Sequence, residues 1–386
     1  MGVGFSDLED ELAALKKQNI YRSRRVVSSP QGVNIRVDGK PMINFSSNDY
    51  LGLANHPKVI EAFKKASRRY GVGTGSAHLI CGHTASHHAL EEELAAFTGR
   101  ERVLLFSTGY MANMGVIAAL LTRGDSIFQD RLNHASLLDG GLLSGAKFKR
   151  YFHNDLEDLE SKIKPHDRRT LIVTDGVFSM DGDLALLPEL SVMAKKHNAW
   201  LMVDDAHGFG VLGETGGGIV EHYGLTQDDV PVLMGTLGKS FGTFGAFIAG
   251  SHVLIETLIQ KARSYMFTTA LPAAIAEATR TSLELVMVEN WRRDKLFRLL
   301  AHFRSGAEQL GLPIMASASA IQPLMVGDSH TVVKWSNDLL EKGFLVSAIR
   351  PPTVPRGESR LRITFSADHE QHQVDQLLDA LVAVTT

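Results

Sequence analysis

Cysteine is nearly absent: Cys81 is the only one in 386 residues. An intramolecular disulfide and a thiolate zinc cluster are therefore excluded. Long apolar runs are missing as well, and no uncharged, continuously apolar run reaches the ~20 residues needed to span a bilayer. Neither sign of charge is in surplus, since 40 Lys and Arg against 43 Asp and Glu leave a formal net charge of -3. That balance disfavours a surface built to coat nucleic acid, which needs a basic patch. The opening Met1-Gly2-Val3-Gly4-Phe5-Ser6 has neither the basic region nor the apolar core of a signal peptide. Met1-Gly2 with Ser6 matches a myristoylation pattern weakly, and no second lipid signal accompanies it. A soluble, cytoplasmic protein without nucleic-acid or membrane partners is expected. Phosphate fingerprints are also lacking. No G-x-x-x-x-G-K-[ST] occurs, and neither Gly71–Gly75 nor Gly216–Gly218 supplies G-x-G-x-x-G between a strand and a helix.

What the chain does have is 44% hydrophobic residues, enough for a large core in two or more packed subregions. The most telling stretch is Val230–Gly242, an apolar run that ends in a glycine-rich loop carrying one lysine, Lys239, near Thr236 and Ser240. A short apolar run bounded by glycine fits a buried strand. The lysine at its end is a phosphate holder, a Schiff-base nucleophile or a plain surface residue, and the loop alone leaves these open. Around it, strand-like and helical segments alternate. Strands are expected at Val103–Phe106, Ser126–Asp130, Thr170–Asp175, Trp200–Asp204, Val232–Met234 and Gly245–Ala249, with a helix at Tyr110–Leu121. Alternation of this kind predicts an α/β fold with a mostly parallel, doubly wound sheet, whose ligands bind beyond the carboxyl ends of the strands. Ser107, Thr108, His134, Ser179, Asp204, His207, Thr236 and Lys239 all fall at such ends.

The flanks read differently. Ser6 and Glu9 resemble a capping box ahead of Leu8, Leu12 and Leu15, which predicts a short amphipathic helix. Arg22, Arg24 and Arg25 form either a solvated face or a contact for an acidic substrate. Past Pro272, one long helical stretch, Ala273–Leu310, is expected, then strands at Ala320–Val326, Gly343–Ile349 and Ser359–Phe365 and a helix at His369–Val382.

Two residues at the rim have specific chemical needs. Trp200-Leu201-Met202-Val203 delivers Asp204 into the sheet's binding end, and a carboxylate there needs a cation or hydrogen bonds. A protonated heteroaromatic nitrogen would serve; a turn cap or a magnesium ligand are the alternatives. His134 is a metal ligand, a general base or a stacking partner. A metal site would recruit His83, His87, His88 and Cys81, but their spacing fits no zinc motif, and no metal is expected.

Five motifs in order then carry a resemblance. They are Asn44-Phe45-Ser46-Ser47-Asn48-Asp49-Tyr50-Leu51-Gly52-Leu53, Asp130-Arg131-Leu132-Asn133-His134-Ala135-Ser136, Gly176-Val177-Phe178-Ser179-Met180-Asp181-Gly182, Asp204-Asp205-Ala206-His207-Gly208 and Thr236-Leu237-Gly238-Lys239. Together they resemble the α-oxoamine synthases, pyridoxal 5'-phosphate (PLP) enzymes of fold type I, the aspartate-aminotransferase-like fold. That resemblance implies an N-terminal helix and short strands over 1–45, a PLP-binding large domain over 46–285 and a smaller α+β C-terminal domain over 286–386. Ser319–Leu324, Ala348–Pro355 and Ser359–Arg362 look like the branch that condenses L-alanine with a pimeloyl thioester of coenzyme A or acyl carrier protein. Ala77-His78-Leu79-Ile80-Cys81-Gly82 departs from that branch and leans toward glycine-using acetyltransferases. A nucleotide-binding α/β protein is the alternative of a different class.

The resemblance also implies roles. Lys239 binds the cofactor covalently and later carries the Cα proton, Asp204 pairs with the ring nitrogen, and His207 and Ser179 hydrogen-bond the ring's phenolic oxygen. His134 stacks on the ring and positions the acyl substrate. Gly109 and Tyr110 amides with Thr236 hold phosphate, joined by Thr268 and Thr269 from the second subunit of a homodimer. Arg362 is the expected carboxylate partner, with Arg22, Thr353, Asn48 and Arg350 as further substrate contacts.

Overall fold

The computed structural model describes residues 5–18, 20–164 and 168–385, the side chains of Ser6 and Asp7 excepted. The Met1-Gly2 pattern and the Ser6 half of the capping box lie outside the described residues. The chain divides into two compact units: Asp49–Ser179 with Asp183–Arg293, and Met1–Asn48 with Met180–Gly182 and Asp294–Thr386. No helix among the described residues is long and apolar enough to cross a membrane.

The larger unit is built on a seven-stranded sheet. In spatial order its strands are Arg102–Phe106, Ala246–Gly250, Val232–Thr236, Trp200–Asp204, Thr170–Asp175, Ser126–Asp130 and Lys147–Tyr151. Ala246–Gly250 runs antiparallel to both neighbours, and every other pairing is parallel. The central strands are apolar throughout because parallel sheets are covered on both faces: Leu171, Ile172, Val173, Leu201, Met202 and Val203 are fully buried. Helix Gly109–Leu120 packs on this sheet and buries Ala112, Val116, Ile117 and Leu120 in the same cluster as Leu171, Val173 and Met202. The α/β arrangement with a mostly parallel sheet expected from the alternation is therefore present.

Lys147–Tyr151 was not anticipated as a strand. Its sequence, Lys-Phe-Lys-Arg-Tyr, is mostly charged because it pairs on one side only, with Ser126–Asp130. Lysines on an edge strand discourage further pairing, and they hide the apolar pattern a strand normally shows.

In the smaller unit, Asn34–Val37, Lys40–Asn44 and Phe344–Leu345 form one three-stranded sheet. Ile321–Gly327, Ser359–Thr364 and Ser347–Ile349 form another, with Ser359–Thr364 central. The single strand expected over Gly343–Ile349 is thus two pieces in two sheets. Between them Val346 is fully buried, and its carbonyl accepts a hydrogen bond from Ser336 Oγ at 2.6 Å. The long helix expected over Ala273–Leu310 is likewise two, Ala273–Val288 and Trp291–Gln309. Arg293 Nη1 donates to Val286 O at 2.7 Å, satisfying one of the carbonyls orphaned by the break. Helix Gln371–Thr385 closes the chain.

The lysine loop is held by close backbone packing. Gly242 has φ 63°, and a Cβ there would lie 2.2 Å from Ala54 N and 2.5 Å from the Leu53 carbonyl carbon. Both obstacles are backbone and cannot swing aside. Gly242→Ala is expected to lower the melting temperature by at least about 3 °C. An unchanged melting curve would show that the loop accommodates the methyl group.

Candidate active site

The carboxyl ends of the parallel strands open onto a cavity of about 200 Å³ lined by Gly109, Tyr110, Asn113, His134, Ser136, Asp175, Val177, Ser179, Asp204, Ala206, His207, Met234, Thr236 and Lys239. They come from the last residues of the strands and from the loops and helices that follow them, where the sheet topology places a ligand.

Asp204 is the last residue of Trp200–Asp204 and is 5% exposed. One of its carboxylate oxygens accepts from Asn113 Nδ2 at 2.6 Å and the other from Ala206 N at 3.0 Å. Asn113 Nδ2 also donates to Ser136 Oγ at 2.9 Å, and Ser136 Oγ lies 2.8 Å from His134 Nδ1. The acid and the histidine are thereby tied to one helix residue. Burial pushes His134 down from its usual pKa, against the pull of Asp204, and the charge on Lys239 adds to the depression. A neutral imidazole results, suited to packing against a ring.

Two further acids flank Asp204 in the sheet. Burial raises Asp175 well above the ordinary carboxylate range, and the charge on Asp204 adds to it. Asp205 is raised by burial in the same way. Asp175 Oδ2 accepts from the His134 amide at 2.9 Å, and Asp205 Oδ2 from the Ile219 amide at 2.8 Å. Both serve the backbone that shapes the site.

Lys239 Nζ lies 2.8 Å from His207 Nε2, and His207 Nδ1 lies 2.6 Å from Tyr50 Oη. An ammonium offers no acceptor, so a charged Lys239 donates to Nε2 and the Nδ1 proton faces Tyr50. If the lysine becomes neutral, the tautomer can reverse, with Tyr50 donating to Nδ1. Tyr50 and His207 thus form a hydrogen-bonded line behind the amine.

At the opposite end of the cavity, helix Gly109–Leu120 begins with Thr108 as its cap, Thr108 Oγ1 accepting from Met111 N at 3.2 Å. A Cβ on Gly109 would sit 2.5 Å from Met234 Cε. The free amides at this start, with Thr236 at the end of its strand, are suited to an anion.

Of the residues read from sequence, Gly109, Tyr110, His134, Ser179, Asp204, His207, Thr236 and Lys239 line this one cavity. Thr268 and Thr269 do not line it; Thr268 Oγ1 donates to Ser264 O at 2.8 Å. The remaining candidates sit in the smaller unit. There Arg22 Nη2 donates to Thr353 Oγ1 at 3.3 Å, Arg362 Nη2 to Asn48 Oδ1 at 3.2 Å, and Arg350 Nη2 to Tyr21 O at 2.8 Å. Asn113, Ser136, Asp175 and Tyr50 were not singled out. Asn113 left one signal: it is a lone amide in the otherwise apolar Tyr110–Leu120 run.

These residues fit PLP. An acid in the lining suits a protonated ring nitrogen, the free amides at a helix start suit the phosphate, and an amine in the same lining suits an aldehyde. Asn113 Oδ1 is buried without a partner in the protein, an acceptor facing this wall.

Comparison with known proteins agrees. The profile of the aminotransferase class I and II family matches residues 40–381. An 8-amino-7-oxononanoate synthase of Saccharophagus degradans is 63% identical over 98% of this chain and 96% of its own. Among solved structures, a serine palmitoyltransferase of S. paucimobilis with a PLP–myriocin adduct superposes with a TM-score of 0.92. It is 31% identical, over 98% of this chain and 97% of that one. An 8-amino-7-oxononanoate synthase of Francisella tularensis superposes with a TM-score of 0.78 at 30% identity, covering 89% of this chain and 98% of that one.

A charged clasp outside the cavity wall holds two of its loops together. His153 Nδ1 lies 3.1 Å from both Asp130 oxygens and Nε2 lies 2.7 Å from Asp183 Oδ2. Asp130 begins the loop to His134, and Asp183 follows the loop of Ser179. Burial alone would depress His153, but Asp130 and Asp183 outweigh it and push its pKa up to about 9. A raised folded-state pKa contributes stability that is complete below the unfolded value of ~6.5 and is lost as pH rises through about 9. His153→Gln is therefore expected to melt several degrees below wild type at pH 6, with the gap closing above pH 9. A gap independent of pH would contradict the charged clasp.

Proposed function

Because the chain belongs to the α-oxoamine synthase branch of the class I and II aminotransferases, we propose that it joins L-alanine to a pimeloyl thioester, releasing carbon dioxide and the free thiol carrier and giving 8-amino-7-oxononanoate for biotin synthesis. The observation that carries this reading is the 63% identity, over 98% of the chain, to a relative of that name.

PLP, when bound, supplies an electron sink for the carbanion at the amino acid's Cα. The chain's residues supply the rest. Asp204, fixed by Asn113 and the Ala206 amide, holds a proton on the ring nitrogen. Lys239 would hold the cofactor aldehyde through Nζ, and the same Nζ, once free, is the group placed to take the Cα proton. His207, 2.8 Å from that nitrogen and backed by Tyr50, sets which partner donates and tunes the phenolic oxygen together with Ser179. His134 packs on the ring and positions the acyl group. Gly109, Tyr110 and Thr236 hold the phosphate.

Arg362 takes the alanine carboxylate, since its planar fork donates to two oxygens at once. Arg22, Thr353, Asn48 and Arg350 contact substrate, and the pairs Arg22–Thr353 and Asn48–Arg362 support their acting together. The protein works in the cytoplasm as a homodimer, each subunit lending Thr268 and Thr269 to the other's phosphate. The acyl donor is presented on coenzyme A or acyl carrier protein.

The PLP-loaded protein is expected to release carbon dioxide and thiol from alanine and pimeloyl thioester. Turnover only with glycine and acetyl-CoA would overturn the assignment in favour of the branch that Ala77–Gly82 resembles. Lys239→Ala is expected to lose at least about 10³-fold in kcat while keeping the fold. Asp204→Asn should also lose most of its turnover, because a neutral amide cannot hold the ring nitrogen's charge. Activity near wild type in either variant would remove that residue from the chemistry.

A further inference from the structure

We propose that the start of helix Ala85–Thr98 carries a divalent-cation site made by His83, His88 and Glu91. One ligand atom from each of these three side chains lies within 4.8 Å of the others. His88 and Glu91 are three residues apart on the helix and share a face. His83 stands one residue before the N-cap, Thr84, and turns back over that face. Two imidazoles and a carboxylate suit zinc, cobalt or nickel, with a fourth position left to water.

The surroundings prepare each donor. Glu91 is only 12% exposed at its side chain; one oxygen accepts from the Leu105 amide at 3.0 Å, and the other lies 4.0 Å from His83 Nε2. A carboxylate so far withdrawn from water is favoured in its charged form by a cation beside it. His83 Nδ1 is 3.1 Å from His78 Nδ1, and His78 is stacked on Tyr265. Only one Nδ1 of that pair can carry the proton between them. When it is on His83, Nε2 keeps its lone pair for a cation, and a hydrogen bond of this type fixes a ligand's tautomer. His88 rests 3.4 Å from Glu92 in an exposed pair, an interaction weak enough to exchange for a metal bond.

This is not the group the sequence pointed to. His87 lies on the buried face, where Nδ1 accepts from the Thr84 amide at 3.1 Å and Nε2 donates to Leu271 O at 2.7 Å. Cys81 is outside the three-residue group. A bound cation would tie the segment after His78–Gly82 to the helix that follows it.

The test uses the PLP-loaded, full-length protein, stripped with EDTA and then titrated with Zn(II) by calorimetry and with Co(II) by visible absorption. One ion per subunit is expected, bound at least about tenfold more weakly in His88→Ala and His83→Ala, and unchanged in Cys81→Ser. His88 and His83 are exposed, so both variants should keep the wild-type circular dichroism and melting curve. The absence of stoichiometric uptake, uptake indifferent to His88→Ala, or uptake abolished by Cys81→Ser would each overturn the proposal.

Discussion

Everything at the catalytic end of the sheet depends on one buried carboxylate. Asp204 is carried there by a strand too apolar to stop anywhere else, and withdrawal from water makes its partners decisive. Asn113 and the Ala206 amide take one interaction at each oxygen. Since Asn113 also holds Ser136, and Ser136 meets His134, one amide aligns the acid and the histidine on a common frame. The charge is thereby kept within the cavity, where a ring nitrogen can use it.

Three acids stand within two adjacent strands' ends, yet they do different work. Asp175 and Asp205 are held toward their neutral forms by burial, and each accepts a backbone amide. Asp175 and Asp204 both line the cavity, but Asp204 is the one held by a side-chain amide, that of Asn113. Separating neighbouring carboxyls by environment rather than by type is how one site keeps a structural acid and a functional one side by side. The same economy appears at Lys239, whose amine meets His207 and, through it, Tyr50.

The sheet was legible because its buried strands are continuous apolar runs closed by glycine or polar turns, and Trp200–Asp204, Thr170–Asp175 and Ser126–Asp130 coincide with the expected spans. Lys147–Tyr151 was hidden by its edge position, and the breaks at Val346 and at Glu289-Asn290 by side-chain hydrogen bonds that periodicity does not encode. In the site, residues at strand ends could be read because topology predicts where ligands sit. Asn113 and His153 could not. One lies a turn inside an apolar helix, and the other follows a strand whose charged sequence concealed it.

In the proposed reaction Lys239, rather than any other amine of the chain, is the covalent anchor for PLP. Borohydride reduction of the PLP-loaded protein, followed by proteolysis and mass spectrometry, tests it directly. One pyridoxyl group per subunit, on Lys239, is expected. A pyridoxyl group spread over surface lysines, or none fixed at all, would contradict it.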